Sequence, residues 1–128
     1  MRFVLDTHTF LWYSADDTRL SEYAAGLLED KNNQPTLSIV SLWEISIKVS
    51  TGKLELDTPV SALFSEARTN LGFELLPLTS EHLDPLPKLP FYHRDPFDRT
   101  LVAQCIHEKL PLLSRDVALD AYAIRRLW

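Results

Sequence analysis

Apolar residues fall along this chain in two rhythms. Short unbroken runs occur at Arg2–Leu5, at Leu37–Val40 after Pro35 and Thr36, at Phe73–Leu76 and at Leu110–Leu113. Each has the length of a strand and is bounded by polar or turn-forming residues. In the first, Phe3, Val4 and Leu5 are apolar without alternation, as expected of a strand buried on both faces. Between these runs, apolar positions recur at helical spacing with start and stop signals around them. Ser21 opens a helix over Glu22–Asp30, and Ser41 opens one from Leu42 to about Thr51 that Gly52 closes. Pro59 opens a third, ending at Leu71 before Gly72. Asp95 and Pro96 open a fourth to about Lys109, with Leu101, Val102, Cys105 and Ile106 along one face. Strands alternating with helices predict an α/β fold, because parallel strands need crossover connections that cover both faces of the sheet. The prolines at 85, 87 and 90 mark one extended connection, with no repeat or linker elsewhere, so residues 1–128 are expected to form one domain.

Composition narrows the function. Eighteen Asp and Glu oppose thirteen Lys and Arg, a formal net charge of −5, which excludes a simple basic nucleic-acid-coating protein. The single cysteine, Cys105, excludes an internal disulfide and a Cys-based zinc cage, suits a reducing cytosol, and reads as a small core residue. No apolar stretch reaches the ~18 residues of a membrane span, the N-terminus turns polar too soon for a signal peptide, and no Gly-rich phosphate loop is present.

The placement of the acids says more than their number. In an open parallel sheet, reacting groups gather at the carboxyl ends of the strands. Asp6 follows the first strand, Glu44 lies near the start of the helix after the second, Asp95 and Asp98 open the helix before the fourth, and Asp116 follows the fourth. These five also have plain structural readings: Ser41-x-x-Glu44 and Asp95-x-x-Asp98 are capping-box patterns, and Asp6 and Asp116 suit strand-end turns. Brought to one edge, however, carboxylates repel and raise one another's pKa. A divalent cation offsets that, and an oxygen-only donor set selects Mg²⁺ or Mn²⁺, a combination suited to phosphodiester hydrolysis. Eighteen acids less these five leaves thirteen, equal to the Lys and Arg count, so the surplus charge matches the candidate site.

The motifs Val4-Leu5-Asp6-Thr7-His8, Ser41-Leu42-Trp43-Glu44-Ile45, His93-Arg94-Asp95-Pro96-Phe97-Asp98-Arg99 and Leu113-Ser114-Arg115-Asp116 occur in the order seen in PIN-domain proteins. Over essentially its whole length the chain resembles that family, in particular the VapC-like toxins of bacterial type II toxin–antitoxin pairs. The resemblance implies an α/β/α sandwich and an Mg²⁺- or Mn²⁺-dependent endoribonuclease that uses metal-activated water. It also implies a cytoplasmic homodimer neutralised by a small antitoxin. By position it assigns catalysis to Asp6, Glu44, Asp98 and Asp116, with Asp6, Asp98 and Asp116 holding the metal. Thr7, Ser114 and Asp95 take supporting places, and Asp95 can equally be only a helix cap.

Arg94, Arg99, Arg115 and Lys48 stand near the same edge as candidate RNA contacts, each weighed against a surface or ion-pair role. Trp12, Tyr13 and Trp43 can stack on bases, although packing is the commoner use of such rings. His8, His82, His93 and His107 lack zinc-site spacing, and a hydrogen bond to a motif acid is the better role for His8 and His93. The alternatives are a catalytically silent PIN-like module that binds RNA or protein, an aspartate phosphatase, and a phospho-acceptor receiver. The phosphatase lacks its second Asp, because His8 stands there, and the receiver lacks its early acidic pair and its late Lys, where Arg115 stands.

Overall fold

A computed structural model of the chain describes residues 1–128. Five parallel strands, β1 (Arg2–Leu5), β2 (Gln34–Ser38), β3 (Glu74–Leu76), β4 (Leu112–Leu113) and β5 (Arg126–Leu127), form one sheet in the order β3-β2-β1-β4-β5. Five α-helices cover it: α1 (Thr7–Ser14), α2 (Glu22–Glu29), α3 (Ile39–Ser50), α4 (Val60–Leu71) and α5 (Pro96–Glu108). Alternating side chains of the central strands feed two cores. Phe3, Leu5 and Leu113 pack with Phe10, Leu28, Ile45 and Phe64 on one face. Val4 and Leu112 pack with Val102, Cys105, Leu119 and Tyr122 on the other. The α/β fold with a helix-covered parallel sheet expected from the alternation is therefore the one observed.

Several boundaries differ from expectation for physical reasons. Strand β2 starts at Gln34, and Pro35 lies opposite Phe3 in the register, so the proline removes one donor without ending the ladder. The β-branched Ile39 and Val40 belong to α3 rather than to a strand, because Ser38 Oγ accepts from the Val40 amide and starts the helix there. Ser38, not Ser41, is therefore the cap. The last core strand is shorter than the apolar run that announced it, since Leu110 and Pro111 precede the ladder. Two elements carried no sequence signal strong enough to find: α1, whose apolar residues do not form a clear stripe, and the two-residue strand β5. Gly72 closes α4 as expected, with a left-handed φ of 68°.

Ser38 also ties the sheet to α5, since its hydroxyl donates to Gln104 Oε1 while Gln104 Nε2 donates to the Pro77 carbonyl. Both side chains are fully buried. Ser38→Ala removes the cap of α3 and leaves a buried acceptor unpaired. It should cost about 1–2 kcal/mol, read as a lower urea midpoint with an unchanged m-value.

Candidate active site

Chain order carries β1, β2 and β3 outward in one direction and places β4 on the other side of β1. The crevice at such a reversal is where open α/β sheets hold ligands, and the ends of β1 and β4 are joined there by polar contacts. Asp6, the residue after β1, caps α1: its Oδ1 accepts from the Thr9 amide at 2.9 Å. Its Oδ2 accepts from Ser114 Oγ, just past β4, at 2.5 Å. The same Ser114 oxygen accepts from the Asp116 amide at 3.1 Å. Asp116 Oδ1 caps the short 3₁₀ turn Val117–Ala121 through the Ala118 amide, which leaves Oδ2 facing His93. Asp6 and Asp116 thus combine capping with exposure to one cavity of about 420 Å³, whose wall they share with His8, Trp12, Arg19, Arg115 and Val117.

Glu44 enters from α3. It is 4% exposed, accepts from Thr7 Oγ1 at 2.7 Å, and pairs through its other oxygen with Lys48 Nζ at 2.8 Å, one helical turn on. Ser41 lies 3.0 Å from Thr7 Oγ1, so this serine braces the Thr7–Glu44 contact instead of capping the helix. Lys48, a candidate RNA contact by sequence, has its ammonium engaged by Glu44.

The start of α5 completes the group. Asp95 caps it, Oδ1 accepting from the Phe97 and Asp98 amides at 2.8 and 3.3 Å. The Asp95 amide itself donates to His93 Nδ1 at 3.2 Å. With Nδ1 acting as acceptor, the imidazole proton sits on Nε2, from where it reaches Asp116 Oδ2 at 2.9 Å and Asp98 Oδ2 at 3.2 Å. One ligand-capable atom from each of His93, Asp98 and Asp116 falls within 4.8 Å of the others. Asp98 titrates far from the ordinary carboxylate range. Burial pushes it up to about 7, the negative charge of Asp95 adds to this, His93 opposes it, and Asp6 and Glu44 raise it further.

The other candidates separate cleanly. Arg99 is not the RNA contact expected from sequence: it is only 7% exposed, and its guanidinium donates to the Leu86, Leu89 and Pro90 carbonyls, so it braces a loop and has no surface from which to meet RNA. Arg94 and Arg115 are exposed and form no side-chain hydrogen bond or ion pair within 4 Å. Arg19, which no sequence motif marks, turns out to line the acidic cavity while paired to Asp17 at 2.7 Å. Trp43 packs edge-on against Phe97 with centroids 5.0 Å apart, and Tyr13 packs against the core of the β1 face. His82 accepts from the Thr79 amide through Nδ1 and so donates from Nε2 to Glu108 at 2.8 Å, a pin between a loop and the end of α5. Burial pushes the Cys105 thiol up to about 12, as suits an inert core residue.

A parallel sheet covered by helices, with carboxylates at its topological reversal, defines an α/β/α protein with an acidic site at the ends of its central strands. The PIN domain family model matches residues 3–125, and the chain belongs to the PIN-domain family. No curated protein matches it. Among solved structures it is similar to a chain of VapBC2 from Rickettsia felis bound to a DNA fragment from their promoter. That match has a TM-score of 0.76 and 15% identity, covering 99% of this chain and 98% of that one. It is also similar to a chain of FitAcB from Neisseria gonorrhoeae, with a TM-score of 0.67, 16% identity, and coverage of 100% and 97%. A third is VapBC-5 from Mycobacterium tuberculosis, a member of the VapBC family of toxin–antitoxin systems. There the TM-score is 0.59 and identity 18%, with 98% of each chain covered. At these identities the likeness is one of fold. No helix of the chain is long and apolar enough to cross a membrane.

Proposed function

We propose that the chain is a divalent-cation-dependent endoribonuclease, the toxin of a toxin–antitoxin pair. The observation that carries this reading is the gathering of Asp98 and Asp116 with His93 within 4.8 Å, at the edge whose cavity Asp6 also lines, where burial and the charge of Asp95 push the Asp98 carboxyl up to about 7. Natural sequences rarely retain such repulsion unless a ligand offsets it. The donor set fits a hard cation: Asp98 and Asp116 gather beside His93, Asp6 lines the same cavity as Asp116, no thiolate is near, and the proton on His93 Nε2 leaves the carboxylate oxygens as the ligands. Asp6, Asp98 and Asp116 would hold Mg²⁺ (or Mn²⁺), which supplies charge neutralisation at the phosphate and acidifies water.

The remaining roles belong to side chains. Ser114 and the Thr9 amide fix both Asp6 oxygens in direction. Thr7 and Lys48 hold Glu44 so that it can orient the attacking water and take its proton. Asp95 holds the start of α5, and with it Asp98, in place. Arg94 and Arg115 remain as phosphate contacts. The likeness to VapBC-5, a member of a family of toxin–antitoxin systems, supports a small antitoxin as partner, the family resemblance supports a homodimer, and the lone buried cysteine suits the cytoplasm.

In-line attack by water leaves 5′-phosphate and 3′-hydroxyl ends. Purified protein freed of antitoxin, incubated with structured RNAs and Mg²⁺, should give those ends, and EDTA should abolish cleavage. Products ending in 2′,3′-cyclic phosphate overturn the mechanism. Failure of pure, folded protein to cut any RNA overturns the nuclease reading in favour of a binding module.

A further inference from the structure

At the mouth of the acidic cavity, two guanidiniums converge on one indole. Arg19 Cζ lies 5.0 Å from the Trp12 ring centroid and Arg115 Cζ lies 5.9 Å from it. The three residues come from different places: Trp12 from α1, Arg19 from the loop after it, and Arg115 from the turn after β4. All three line the same cavity as Asp6 and Asp116. We infer that Arg19 and Arg115, both resting against Trp12 in this cavity, form a seat for the backbone phosphate of single-stranded RNA next to the phosphate at the carboxylates.

The structure separates this seat from ordinary solvated charge. Arg115 neighbours Asp116 in sequence, yet it forms no ion pair with that or any other carboxylate within 4 Å; its only contact partner of note is the Trp12 face. A guanidinium resting on an aromatic face keeps its in-plane N–H donors free, so it is oriented without being satisfied. Arg19 is aimed by two hydrogen bonds to Asp17, at 3.1 and 2.7 Å, which restrict its rotamers. The ring is itself anchored, packed edge-on against Trp128 at 6.0 Å and beside His8 at 5.8 Å. Two preoriented cations therefore border a pocket whose floor is acidic. A polyanion approaching that floor needs positive charge beside it to bind at all.

The charge order decides between occupants. An acidic peptide would match the two arginines but would then bring further carboxylates onto Asp6 and Asp116. An RNA strand places one phosphate on the arginines and the next at the carboxylates, where the cation of the proposed nuclease is needed. The choice of RNA rests on that nuclease reading; the seat itself rests on the arginines and Trp12.

The test is equilibrium binding of a fluorescein-labelled single-stranded RNA 12-mer, followed by anisotropy across a salt series in EDTA, where cleavage is stopped. Arg19→Gln and Arg115→Gln are each expected to weaken binding and to reduce the slope of log K against log[salt] by about 0.7, and the double variant by about twice that. Arg125→Gln removes the same charge from a cavity that Met1 and Lys109 line, one that contains none of the site acids, and should leave the slope unchanged. Slopes for Arg19→Gln and Arg115→Gln equal to that of Arg125→Gln overturn the seat. So does an oligoglutamate that binds with the arginine dependence while RNA shows none. Arginine-dependent slopes in a protein that cuts no RNA would retain the seat and remove the nuclease reading. Cleavage with unaltered slopes would do the reverse.

Discussion

Asp98→Asn should stabilise the metal-free protein at pH 8 and at the same time remove cleavage. The carboxyl titrates near 3.8 when free and at about 7 in the fold, so between those values the native state binds more protons than the unfolded chain. Stability then falls as pH rises from about 4 to about 7 and is level above. The whole effect is on the order of a few kcal/mol. Asparagine keeps the shape and carries no charge to desolvate, so its unfolding free energy should be flat over that range and exceed wild type above pH 7. Urea unfolding in EDTA at pH 5 and pH 8 measures this. A variant no more stable than wild type at pH 8 would mean that Asp98 is not under repulsion in the fold. Cations should compete with the proton: Mn²⁺ binding should weaken by up to about tenfold per pH unit below 7, and Asn at 98 should abolish that dependence. Loss of one of three charged ligands should lower the cleavage rate about a thousandfold. A residue whose removal aids folding and destroys activity is one that the fold tolerates for its chemistry.

Much of this site was legible in sequence because Asp6, Asp95, Asp98 and Asp116 stand at a strand end or helix start, positions that chain topology alone collects at one edge, while Glu44 lies further along α3, in its second turn. Asp6 and Asp116 could be placed there from two apolar runs and the residues after them. What sequence could not supply was orientation. Ser41 looked like a helix cap by spacing, but Ser38 captured the role, because its hydroxyl meets both Val40 and Gln104. Arg99 stood in the most specific motif beside polar neighbours and read as a surface cation; its burial is set by three carbonyls 9 to 13 residues earlier, which no local pattern reveals. Arg19 carries no sequence signal for the opposite reason: its cavity exists only once α1 and the turn after β4 are adjacent. Sequence sets His93 beside a motif acid, yet its position between Asp98 and Asp116 depends on the path of the loop through Pro85, Pro87 and Pro90. Helix α1 and strand β5 leave no pattern in the sequence because tertiary contact, and not local propensity, holds short elements of weak periodicity.

Arg99→Met should be the most destabilising single change outside the apolar core, at about 3–5 kcal/mol. The guanidinium is buried without a carboxylate partner and is compensated by backbone dipoles. One nitrogen donates to Pro90 O at 2.9 Å and also reaches His93 O at 3.4 Å; the other reaches Leu89 O at 3.2 Å and Leu86 O at 3.4 Å. Phe91 covers it with its ring centroid 4.0 Å from Cζ, and Tyr122 ties down the same loop by donating to Pro90 O at 2.7 Å and accepting from the His93 amide at 2.9 Å. Methionine fills much of the volume but leaves the Leu89 and His93 carbonyls without a donor, while those of Pro90 and Leu86 keep only Tyr122 Oη and the Leu89 amide. Lysine should not restore stability, because one ammonium cannot present donors in the planar fork these carbonyls surround. The loop that Arg99 gathers is the one that delivers His93 to Asp98 and Asp116, so its loosening should reach the site. Thermal unfolding should show Tm falling by roughly 10 °C or more for both variants. Amide exchange at residues 86–93 should accelerate more than in the strands. An Arg99→Lys protein within about 2 °C of wild type, with residues 86–93 still protected, would show that charge alone, and not the fork, holds the loop.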